Sequence, residues 1–70
     1  MTAPPVVIDA RGMRCPWPAL RLARALREGA ERVEVIADDP IAPGELAAVA
    51  ATRGLDFQRL SEARFLIGAP

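Results

Sequence analysis

The first apolar run is consecutive and β-branched: Val6-Val7-Ile8 predicts a short strand ending near Asp9 or Ala10. Arg11-Gly12-Met13-Arg14 then reads as a loop, with Gly12 as its flexible point. From there the period lengthens. Ala19, Leu22, Ala23, Leu26 and Ala30 recur at helical spacing, with Arg21, Arg24, Arg27 and Glu28 on the opposite face. A helix is therefore expected to open at Cys15-Pro16-Trp17-Pro18 and to stop at Gly29. Pro16 and Pro18 mark its start and do not break it, because the amides of a first helical turn have no partner inside the helix.

Alternation returns in Arg32-Val33-Glu34-Val35-Ile36-Ala37, which predicts a second strand with Val33, Val35 and Ala37 on one face. Asp38-Asp39-Pro40 is turn chemistry. A second helix is expected over residues 43–53, with Leu46, Val49 and Ala50 inward and Gly54 closing its end. Pro43 suits its first position and Glu45 suits the positive end of its dipole. Ala42 falls at the cap, where it offers no side-chain acceptor, so this start looks weakly specified. The tail reads as two strands, over residues 56–60 and 64–68, joined by a tight turn at Ser61-Glu62, with Phe57, Leu60, Phe65 and Ile67 as the apolar content. The order β-α-β-α-β-β predicts an α/β (α+β) two-layer sandwich: a mixed four-stranded sheet with two helices on one face.

Seventy residues allow one small domain, here taken as residues 1–70, with neither a repeat nor a dividing linker. The absent residue types narrow the chemistry. No His means that the usual neutral-pH base and the commonest metal ligand are missing. No Lys excludes Schiff-base chemistry and a phosphate-loop lysine. A single Cys makes neither an internal disulfide nor a Cys-rich zinc site, so no metal or cofactor is called for, and a reducing, cytoplasmic compartment fits best. Met1-Thr2-Ala3-Pro4-Pro5 shows no basic region or long apolar run, so neither a signal peptide nor a membrane span is expected.

Nine Arg balance nine acids, so no net charge calls for nucleic acid or an anionic membrane. The charge is nevertheless segregated. Between Arg11 and Arg32, six Arg oppose Glu28 and Glu31, a local net of +4; between Glu34 and Glu62, six acids oppose Arg53 and Arg59, a local net of −4. The basic stretch reads either as a solvated helix face or as a docking surface for an acidic partner beside Cys15.

Cys15 is almost the only group able to carry covalent chemistry. It stands just before or at the first turn of the helix, with Arg14 adjacent and Arg11 near, and both features are expected to lower the thiol pKa and enrich the nucleophilic thiolate. The two prolines stiffen the junction and present the sulfur. The plainer alternative is a buried Cys acting as a small hydrophobe. Trp17 is likewise open between packing and exposure beside the thiol.

The run Asp9-Ala-Arg-Gly-Met-Arg-Cys-Pro-Trp-Pro18 resembles the signature of the TusA family of small sulfur-carrier proteins, a Cys-Pro-x-Pro motif after an Asp-x-x-Gly segment. Ala37-Asp38-Asp39-Pro40 resembles the family's second recurrent segment, and the likeness runs from about Val6 to Ile67. The resemblance implies a two-layer sandwich and a Cys15 that carries sulfane sulfur as a persulfide. It also implies a sulfur-donor protein, a cysteine desulfurase or a rhodanese-like protein, and a sulfur-acceptor protein. Pro16 and Pro18 map as the motif prolines; Asp9, Gly12 and Asp38 map as motif positions with a structural role. Trp17 fills a variable position that is acidic in some relatives, and Ala42 and Pro43 replace hydroxyl residues often seen there. A monomer acting without cofactor, membrane or direct nucleic-acid contact is expected. The competing reading is a non-enzymatic regulatory or adaptor module that binds a protein partner through its Arg-rich helix face, around Arg21 and Arg24.

Overall fold

The computed structural model describes residues 4–69. The elements are β1 (Val6–Asp9), α1 (Trp17–Arg27), β2 (Arg32–Ile36), α2 (Ala42–Thr52), β3 (Asp56–Arg59) and β4 (Arg64–Gly68), in the expected order. The absence of a leader was read in part from residues 1–3, which lie outside the described residues.

The sheet runs β1-β2-β4-β3, with β1 parallel to β2 and both other pairings antiparallel, so it is mixed as expected. Two cross-strand rows face the helices. Val33 lies between Val6 and Ile67, with Phe57 beyond; Val35 lies between Ile8 and Phe65, with Arg59 beyond. Phe65, Leu22, Leu46, Ile67, Val33, Val35 and Pro18 are the largest fully buried side chains, drawn from both central strands and both helices. No polar or charged side chain among the described residues is buried. The polar chemistry therefore sits at the rim, where partial hydration lowers the cost of holding charge.

Both helices end as the glycines foretold. Ala30 and Leu55 donate their amides to the carbonyls of Ala25 and Ala50, while Gly29 and Gly54 donate to Leu26 and Ala51. That paired bonding needs a left-handed residue just past each cap, and Gly29 (φ 100°) and Gly54 (φ 68°) supply it without a Cβ penalty.

α1 begins at Trp17 with Pro16 as its cap residue, so Cys15 stands just before the first turn, in the preceding loop. α2 begins at Ala42, one residue early, and Ile41 takes the cap position. Pro18 and Ala25 pack on the core together with the expected Ala19, Leu22, Leu26 and Ala30, while Ala23 is only half-buried. Strand β3 stops at Arg59: the amides of Leu60 and Ser61 both donate to the Arg64 carbonyl, which widens the Ser61-Glu62 turn and leaves Leu60 exposed.

The parallel β1–β2 pair places the site. Two neighbouring strands that run the same way deliver their following loops to one end of the sheet, so α1 and α2 start side by side. Cys15 and the Asp38-Asp39 turn meet there.

Candidate functional site

Two aspartates tie the loops together. Asp38 Oδ1 accepts the Gly12 amide at 3.0 Å. Asp39 reaches both helix starts: Oδ2 accepts the Cys15 amide at 2.7 Å and Oδ1 accepts the Ile41 amide at 2.9 Å. These two amide bonds are the main reason that the Asp39 carboxyl is held below the usual carboxylate range. The start of α2 has no side-chain cap, as Ala42 suggested, and Asp39 instead fixes the amide of the cap residue Ile41. The structural role assigned to Asp38 agrees with this geometry, and so does that of Asp9, whose carboxylate is paired with Arg11 at 2.7 Å and drawn down to about 2.

Asp39→Ala is expected to loosen the Cys15 loop and to lower stability in a pH-dependent way. A carboxyl with a depressed folded pKa stabilises the fold above its unfolded value, about 3.9, and that contribution is lost as pH falls through the folded value. Urea midpoints should therefore separate wild type from variant at pH 7 and draw together near pH 3. Equal midpoints at both values would show that Asp39 contributes no such linkage.

The thiol itself behaves against expectation. Cys15 is half-buried, and its Sγ–H donates to Glu45 Oε1 at 2.8 Å. Its pKa is raised: the Glu45 hydrogen bond is the largest cause, followed by burial and by the negative charges of Glu45 and Asp39. The expected thiolate enrichment fails for three identifiable reasons. Arg11 is spent on Asp9. Arg14 faces the Asp39 carboxylate, whose pKa it helps to lower. The α1 start has few donors to offer an anion, because Pro16 and Pro18 have no N–H and the Trp17 amide is turned back to the Arg14 carbonyl at 2.9 Å.

An open groove runs past Cys15, lined by residues 12–15 from the β1–α1 loop and 38–41 from the β2–α2 loop. Trp17, left open by the sequence, is 60% exposed, and Leu20 and Ile41 are also exposed. Ile41 lines the thiol groove itself, while Trp17 and Leu20 belong to the first turn of α1, which follows the Cys15 loop. The arginine face lies elsewhere: Arg21 and Arg24 line a second groove with Val6, Val7 and Ile8, and Arg24 pairs with Glu28 at 3.2 Å. The two grooves share no residue, although Arg21 reaches back to Met13 Sδ at 4.0 Å; the Cys15 groove carries Asp38 and Asp39 together with Arg14. Among the described residues, no three His, Cys, Asp or Glu side chains are placed to hold a metal ion.

Glu45 and Asp39 are the site residues that sequence reasoning missed. Glu45 was read only as a helix-dipole residue, and Asp39 as a turn former within a family segment, without a contact to Cys15. The available signal was chemical: a chain without His can offer a thiol no side-chain proton acceptor nearer its need than a carboxylate.

The geometry can be set beside known proteins. A family model described as Sulfurtransferase TusA matches residues 6–67. The chain belongs to this family. A candidate sulfur carrier protein from Archaeoglobus fulgidus is 30% identical over 67 residues, covering 86% of this chain and 87% of its own. The fold is matched by the crystal structure of a SirA-like protein from Desulfitobacterium hafniense, with a TM-score of 0.70 and 28% identity over 89% of this chain and 90% of that one. Membership in the TusA family brings the broad role of sulfur carriage and transfer. No helix among the described residues is long and apolar enough to cross a membrane.

Proposed function

We propose that the chain, acting as one cytoplasmic carrier domain over residues 1–70, accepts sulfane sulfur as a persulfide on Cys15 and hands it to an acceptor protein. The observation that carries this reading is the position of Cys15: the chain's single thiol, half-buried and bordering an open groove, hydrogen-bonded through its sulfur to a carboxylate.

The chemistry balances without an oxidant. In loading, Cys15 Sγ loses its proton and attacks the outer sulfur of a donor persulfide. One S–S bond forms as another breaks, and the donor thiolate leaves. In unloading, an acceptor thiolate attacks the outer sulfur and Cys15 leaves as thiolate. With no second thiol in the chain, the persulfide cannot collapse into an internal disulfide, which suits a carrier better than a reductase. The donor in this reading is a cysteine desulfurase or a rhodanese-like protein, and the exposed apolar side chains of Trp17, Leu20 and Ile41 are the contacts it would cover.

The test follows the sulfur. With radiolabelled cysteine and a cysteine desulfurase, or labelled thiosulfate and a rhodanese, the label should move onto the chain and leave it on addition of a thiol reductant. A chain that stays unlabelled with both donors, although its thiol alkylates completely, would contradict the proposal.

A further inference from the structure

Glu45 contacts the reacting sulfur, and its effect on the two states of a carrier is unequal. The unloaded thiol is neutral and donates a hydrogen bond to Oε1 at 2.8 Å, which satisfies both partners. The loaded side chain has no proton on Sγ to donate. A persulfide is also more acidic than its parent thiol, so at neutral pH its terminal sulfur is anionic. That sulfur lies one S–S bond, about 2.05 Å, beyond Sγ. The charged groups around Cys15 are the carboxylates of Glu45 on α2 and of Asp38 and Asp39 on the β2–α2 loop, with Arg14 from the β1–α1 loop. Arg14 is the cation of the groove lining, and Arg11 is paired with Asp9.

We infer that Glu45 sets how readily Cys15 gives up its sulfur: its carboxylate stabilises the empty thiol and repels the loaded persulfide, so the chain is tuned to pass sulfur on and not to store it. This inference rests on the proposed persulfide at Cys15. The exchange it concerns is balanced: the outer sulfur of a small persulfide moves to Cys15, the small thiolate leaves, and the reverse step restores the thiol. Glu45 changes the position of that equilibrium and supplies no redox equivalent.

The experiment equilibrates the full chain at pH 7 with a fixed mixture of glutathione persulfide and glutathione, and reads the loaded fraction by intact mass. Glu45→Gln keeps the size of the side chain and removes its charge. Its loaded-to-free ratio should rise by about three- to tenfold, the effect of one charge removed from roughly 4–6 Å at a partly solvated site. Glu45→Asp, which keeps the charge, should stay nearer wild type, and high salt should shrink the gap. In parallel, the alkylation rate of E45Q should reach its half-maximal value at lower pH than wild type, a shift that a merely structural role would not produce. An E45Q ratio equal to or below that of wild type overturns the inference and leaves the carrier reading standing. A wild-type chain that takes no sulfur at any donor ratio overturns both.

Discussion

Cys15→Ser should take up no sulfur from either class of donor while keeping the wild-type fold. A hydroxyl is too weakly acidic and too poor a nucleophile toward sulfane sulfur to replace the thiol, and the chain holds no second Cys to substitute for it. The fold should survive because the replacement keeps what the site requires. The backbone amide still donates to Asp39, and the Ser hydroxyl can donate to Glu45 in place of the thiol. Far-ultraviolet circular dichroism and the thermal midpoint should match wild type. Sulfur loading that persists in the Ser variant would remove Cys15 from the chemistry.

Phe65→Ala should be the most damaging single core change. Phe65 is fully buried on the central strand β4, stacked on Phe57 with ring centroids 5.6 Å apart, and capped by the Arg59 guanidinium 5.3 Å from its centroid. Removing the ring deletes its buried area and both aromatic contacts, a loss of about 3–5 kcal/mol for a Phe-to-Ala change. Small native domains hold only about 0.05–0.15 kcal/mol per residue, so a chain this short has little to spare. The urea midpoint should fall sharply and a measurable unfolded fraction should appear near 37 °C. Leu66→Ala, on the open face of the same strand, should cost clearly less. Equal losses at the two positions would mean that the buried face does not carry the stability.

The fold was legible because local signals agreed with one another. Val33 and Val35 alternate as a buried strand should, Leu22 and Leu46 fall on the helix stripes, and Gly29 and Gly54 stand where left-handed caps are required. What could be read of the site was its single thiol and the loop that holds it. What could not be read was the thiol's electrostatics, because these depend on residues distant in sequence. Asp39 lies 24 positions from Cys15 and Glu45 lies 30, and both are brought in only by the parallel pairing of β1 with β2. Proximity in sequence favoured Arg14 and Arg11, yet each faces a carboxylate of its own. The α2 start has no side-chain cap, in keeping with the weak specification expected there, while Asp39 before it binds the Ile41 amide and serves Cys15 as well.

The most direct measurement is the intact mass of the wild-type chain after incubation with cysteine and a cysteine desulfurase, followed by mapping of the modified peptide. A gain of about 32 Da, one sulfur atom, that maps to the peptide containing Cys15 and disappears with reductant is the predicted result. An unchanged mass with every donor, or a gain that maps to any other peptide, would contradict the account.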